Sequence, residues 1–149
     1  MNPSDLYKPD GVALTTCLVG APGSGKSFFV KNTIQDFMKS NDDKMQHVVY
    51  VCPKHEMEFG DKSITTLGKL EKHMKKNRIH VIYPDPEMVE EHVDAVIATV
   101  FDIREVNPDF KCCLVVDDAQ VFLSSRRGAS PQFKRLALVG RSRHIRFVA

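Results

Sequence analysis

The sequence predicts a three-layer α/β fold with a mainly parallel central sheet and helices on both faces. Three observations predict it. Apolar runs of strand length alternate with segments of helical period along the chain. The glycine-rich segment Gly20-Ala21-Pro22-Gly23-Ser24-Gly25-Lys26-Ser27 joins the apolar run Val12 to Val19 to a helical pattern. The apolar run Cys112-Cys113-Leu114-Val115-Val116 ends on two carboxylates, Asp117 and Asp118. Strands buried on both faces read as continuous apolar runs, and in a parallel sheet they deliver such end residues to the carboxyl edge, where ligands bind.

The first of these segments is a full Gly-x-x-x-x-Gly-Lys-Ser phosphate loop. Its glycines let the backbone turn tightly and aim N–H groups at a triphosphate, Lys26 adds a movable positive charge, and the Ser27 hydroxyl can ligate Mg²⁺. The helix that follows presents its positive end to the same phosphates. The residues expected to hold ATP are therefore Gly20, Ala21, Pro22, Gly23, Ser24, Gly25, Lys26, Ser27 and the adjoining Phe28. An ordinary glycine-rich turn has no reason to place Lys-Ser directly after its last glycine. At the second motif Asp117 would hold Mg²⁺, directly or through water, and Asp118 would orient or deprotonate the attacking water. A strand-end Asp can also serve only to cap the next turn.

In chain order, a leader through Gly11 precedes a strand over 12–19, the phosphate loop and a helix from Lys26 to Met38. The second strand is expected over His47 to Cys52, closed by Pro53, and a short basic helix from about Thr66 to Lys76, with Leu67, Leu70 and Met74 on one face. Arg78 to Tyr83 forms a further strand. Asp85-Pro86-Glu87 reads as a helix start, with a cap, a proline suited to the first turn and an acid near the positive end; the helix continues through Val89, Val93, Val96, Ile97 and Val100 to about Glu105. After the Asp-Asp strand, Ser124 to Gly128 reads as a loop. Ser130-Pro131 starts a helix through Phe133 and Leu136 to Val139, and His144 opens a last strand.

With 149 residues and 42% hydrophobic content, the chain predicts one domain with a real core. No apolar run approaches the roughly 20 residues of a membrane span, and Met1-Asn2-Pro3-Ser4-Asp5 lacks a signal-peptide pattern, so a soluble intracellular protein is expected. Cys17, Cys52, Cys112 and Cys113 all fall in expected strands and read as buried thiols of a reducing compartment. Cys52-Pro53-Lys54-His55 resembles half of a zinc site, but no second ligand pair stands at a matching spacing. The net charge of +2 is unevenly spread. From Arg126 onward the charged residues are Arg126, Arg127, Lys134, Arg135, Arg141, Arg143 and Arg146, with no acid, which suits a polyanion or a neighbouring subunit's nucleotide. Lys69, Lys72, Lys75, Lys76 and Arg78 form a second basic cluster that reads first as a solvated helix face.

Gly20 to Ser27, Leu114 to Asp118, the short helix containing Phe133 and Leu136, and Gly140-Arg141 leading into Ile145-Arg146-Phe147-Val148 together resemble the FtsK-HerA superfamily. Within it, the chain is most similar to the genome-packaging ATPases of double-stranded DNA viruses. Those proteins commonly carry Asp-Asp after the second motif and a Gly-Arg-His segment before a strand that ends in a polar sensor, usually Gln. Gly140 and Arg141 match that segment, while Ser142 replaces the His. Asp118 stands where many relatives use Glu, and the sequence stops at Ala149 before the sensor position, so the chain is expected to be the N-terminal part of a longer protein.

The resemblance implies an ASCE or RecA-like P-loop NTPase fold and an ATP-driven motor that moves double-stranded DNA, as a homo-oligomeric ring, into a viral capsid. Capsid or portal proteins would be further partners, no membrane is implied, and the setting would be the cytoplasm of the infected host cell. Lys26 and Mg²⁺ on Ser27 would neutralise the β- and γ-phosphates, and an arginine of the adjacent protomer would stabilise the transition state, with Arg141 the first choice and Arg127 and Arg126 next. Two other readings of the same residues stay open: a small-molecule or nucleotide kinase, with Arg126-Arg127 in a lid, and an ATP-binding assembly factor that hydrolyses poorly.

Overall fold

A computed structural model describes residues 15–16, 23–55, 59–117, 128 and 130–149. Six strands form one sheet in the order β1-β6-β5-β2-β4-β3: β1 Thr15–Thr16, β2 Gln46–Val51, β3 Ile64–Thr65, β4 Ile79–Ile82, β5 Lys111–Val116 and β6 Ile145–Val148. Every pairing is parallel. Helices α1 Lys26–Ser40, α2 Leu70–Met74, α3 Val89–Val106 and α4 Pro131–Val139 connect the strands.

Two apolar layers sandwich the sheet. On one face α1 buries Val30, Ile34 and Phe37 against Val48, Tyr50, Val81, Cys113 and Val115. On the other, α3 buries Val93, Val96, Ile97, Val100 and Phe101 against Val49, Cys112, Leu114 and Phe147, joined by Leu70 of α2 and Leu136 of α4. The apolar residues of α1 and α3 recur at helical spacing, which turns one stripe of each helix to the sheet, and each such side chain contributes about 1.5–3 kcal/mol by burial. Alternation along β5 sends Cys112 and Cys113 to opposite faces, as the strand period requires. Burial pushes the Cys113 thiol up to about 12 against the opposing pull of Arg146, and burial with the neighbouring Cys113 holds Cys112 well above the ordinary thiol range. Among the described residues, no helix is long and apolar enough to cross a membrane.

Several boundaries differ from the sequence expectation. Asp85 does not cap α3; its carboxylate accepts the Glu87 N–H at 3.0 Å and its carbonyl accepts that of Met88 at 3.0 Å. That closed turn delays the helix to Val89. The basic segment 66–76 is a 3₁₀ turn over Leu67–Lys69 followed by the short α2, and β3 stands before it as an unanticipated edge strand. The start of α4 is as expected, with Pro131 in the first turn and the Ser130 hydroxyl accepting the Phe133 N–H at 3.1 Å.

Candidate functional site

Helix α1 opens from a turn in which Gly23 and Gly25 have φ of 77° and 84°. No atom lies within 4 Å of a Cβ added at either position, so the positive φ rather than crowding makes glycine the fitting residue. Gly25 occupies the cap position without a side chain to offer, and no acid stands in the first turn of α1. The positive end of α1 therefore has no built-in carboxylate and suits an external anion. Ser27 lies exposed in that first turn, and Phe28 beside it is 71% exposed.

The second half of the site arrives on β5. Asp117 follows directly on Val116, and its N–H donates to the Val51 carbonyl at 3.0 Å, which holds the residue at the carboxyl edge of the sheet. There its Oδ2 accepts a hydrogen bond from the Ser27 hydroxyl at 3.3 Å. Residues 90 positions apart in sequence thus meet as a hydroxyl and a carboxylate at the first turn of α1. Two hard oxygen donors of this kind fit Mg²⁺, which takes few protein ligands and completes its shell with water and phosphate oxygens. Gly20, Ala21, Pro22 and Asp118 lie outside the described residues.

Among the described residues, the candidate arginine Arg141 does not join this pair. Arg126 and Arg127 lie outside the described residues. Arg141 is exposed in the turn Arg141–Arg143 between α4 and β6. Gly140 before it is dictated by backbone approach, since a Cβ there would sit 2.5 Å from the Leu136 carbonyl oxygen. That turn precedes β6, whose first residue Ile145 pairs with Cys112 near the start of β5. Asp117 follows β5 five residues beyond Cys112, a span of roughly 16 Å at 3.3 Å per residue, so the Arg141 turn stands at the amino ends of the strands and the Ser27–Asp117 pair at their carboxyl ends. The rest of the basic C-terminal run divides: Arg135 pairs with Glu105 at 3.1 Å and lies over the Phe101 ring, and Arg146 is buried within the sheet. Lys134 and Arg143 remain exposed.

Solved structures share this architecture. The genome packaging NTPase B204 from Sulfolobus turreted icosahedral virus 2, in complex with ATP-gammaS, matches with a TM-score of 0.62 and 16% identity over 99% of this chain and 64% of that one. The chain has an α/β P-loop NTPase fold, the one B204 has. The AMP complex of B204 matches at TM-score 0.61 and 15% identity, over 99% of this chain and 65% of that one. The AMPPCP complex matches at 0.58 and 15%, over 99% and 64%. The chain thus spans just under two thirds of the length of B204. No protein-family model matches the sequence, and no curated protein matches it with significance. The expected α/β P-loop NTPase fold and the likeness to packaging ATPases are borne out at the level of architecture, and B204 is similar to this chain in fold.

Sequence reasoning passed over one polar cluster. His47 on β2, His80 on β4 and His73 on α2 form a continuous chain: His47 Nδ1 lies 3.0 Å from His80 Nε2, and His80 Nδ1 lies 2.6 Å from His73 Nδ1. His73 Nε2 ends it at the Lys62 carbonyl, 2.7 Å away. Because His80 engages its partners through opposite ring nitrogens, the three cannot share one metal ion. The available signal was a histidine beside the apolar residues of each of two strands.

Proposed function

We propose that this chain is the ATP-hydrolysing core of a motor that translocates double-stranded DNA, working as a homo-oligomeric ring in viral genome packaging. The observation that carries the reading is the Ser27–Asp117 contact, which joins the phosphate-loop hydroxyl to the strand-end carboxylate at the first turn of α1; the shared fold with B204 supports it.

In this reading the backbone of residues 20–25 and the end of α1 cradle the phosphates, and Phe28 borders the nucleotide. Lys26 balances charge on the β- and γ-phosphates as the bond to the leaving group lengthens. Ser27 and Asp117 would hold Mg²⁺, which would supply positive charge to offset that of the phosphates. Asp118 orients the attacking water and receives its proton. Arg141 serves the neighbouring protomer, since its own sheet separates it from its own Ser27–Asp117 pair; Arg127 and Arg126 are the next choices. Partners would be DNA and the capsid or its portal, in the cytoplasm of the infected cell.

ATP turnover measured with and without double-stranded DNA tests the reading. Stimulation of several-fold by DNA is expected. Turnover indifferent to DNA would point to a kinase, and ATP binding without turnover to an assembly factor.

A further inference from the structure

The sheet edge far from β1 carries a second polar site. Lys69, Lys72, Lys76, His73, Thr65 and Asn77 line an open groove of about 460 Å³ beside α2. The three lysines are solvent-exposed, and none of the described residues lining the groove is acidic. Like charges three and four positions apart on a helical segment repel one another. A multivalent anion spread along the groove relieves that repulsion, and an open groove bordered by three separate lysines suits several phosphates better than a single ion.

The histidine chain ends in this groove at His73. With all three rings neutral, the hydrogen bonds fix one set of roles. His73 Nε2–H donates to the Lys62 carbonyl, so His73 Nδ1 accepts from His80 Nδ1–H, and His80 Nε2 accepts from His47 Nδ1–H. An added proton on His47 Nε2 leaves every bond in place. If each ring passes one proton along, the charge moves to His73: His73 Nδ1–H donates to His80 Nδ1, and His80 Nε2–H donates to His47 Nδ1. The chain thus holds one extra proton at either end with no bond lost, whereas a second would set two N–H groups against each other. Entry lies at His47, which lines a separate cavity of about 420 Å³ with Lys44, Glu71 and Lys75.

The surroundings set the cost of that proton. Burial holds His47 down to about 4, with Arg78 adding to the effect and Asp43, itself paired with Lys111 at 2.8 Å, opposing it. Burial holds His80 down to about 2, followed by its two histidine neighbours. Lys69, Lys72 and Lys76 face the His73 end. Phosphates seated among those lysines would cancel their field and favour a proton beside them.

We propose that this groove docks the phosphodiester backbone of DNA, and that docking takes up one proton on the His47–His80–His73 chain. The inference rests on the reading of the chain as a DNA-engaging motor. Phosphodiesters do not titrate near neutrality, so a complex that binds more protons than the free protein gains affinity as pH falls.

Binding of a short fluorescent DNA duplex, followed by anisotropy from about pH 8 to about pH 6, tests both parts. The wild type should bind several-fold more tightly at the acid end, and calorimetry in buffers of differing ionisation enthalpy should read about one proton taken up. Lys69→Gln/Lys72→Gln/Lys76→Gln, confined to the surface, should weaken binding at least about tenfold and lower the slope of log K against log salt by about 2 to 3. His73→Asn should keep the affinity seen at the alkaline end and lose the pH dependence. Unchanged affinity in the lysine variant overturns the groove, even where DNA still stimulates ATP turnover and the motor reading stands. Absence of proton uptake, or pH dependence that survives His73→Asn, overturns the linkage. Wild-type protein that neither binds DNA nor responds to it in turnover overturns groove and motor together.

Discussion

Lys26→Ala should lower ATP turnover by at least about 10²-fold, the scale seen when one preorganised charge-stabilising group is removed from a reacting site, while leaving the fold unchanged. Lys26 lies in the first turn of α1, and the residues that bury this helix are Val30, Thr33, Ile34 and Phe37. Truncation at position 26 therefore removes a charge and no core volume. The melting temperature should stay near that of the wild type while hydrolysis disappears. Unchanged hydrolysis in a folded Lys26→Ala protein would remove the phosphate loop from the chemistry and, with it, the whole account.

Arg141→Ala should leave nucleotide affinity of the isolated protomer nearly unchanged and remove the activity gained on assembly. Arginines supplied in trans are worth roughly 10³- to 10⁵-fold in rate at comparable sites. The geometry makes the test sharp, because Arg141 precedes β6 at the amino ends of the strands while Ser27 and Asp117 meet at their carboxyl ends. A cis role is out of reach without rebuilding the sheet. Mixing Arg141→Ala with Lys26→Ala subunits should restore part of the activity, since some interfaces then pair an intact phosphate loop with an intact Arg141. No recovery in confirmed mixed assemblies would shift the role to Arg126 or Arg127, or to a protein that works as a monomer.

The site was most legible where its chemistry is local. Gly23, Gly25, Lys26 and Ser27 are consecutive or nearly so, and the turn conformation they need is encoded in the glycines themselves. Asp117 was legible because an apolar parallel strand must release its acid at the carboxyl edge. Their contact follows from strand order, with β6 alone lying between β1 and β5. The histidine chain was not legible, because its three members come from β2, β4 and α2, and their adjacency depends on the register that sets Val49 beside His80. Strand β3 is two residues long and has no period to detect. The late start of α3 turned on competition between two local uses of Asp85, a cap or a closed turn, and the turn won by satisfying Glu87 and Met88 at once. Arg146 read as part of a basic surface but lies inside the sheet, where only the strand's pairing could place it.

In the proposed motor, hydrolysis at the Ser27–Asp117 pair drives movement along DNA. Displacement of a fluorescent third strand from triplex DNA measures that movement directly, because a translocating ring strips the strand from its path whereas a static binder does not. Displacement should require ATP and be lost in Lys26→Ala. ATP hydrolysed in the presence of the triplex, with DNA bound and the third strand left in place, would contradict it.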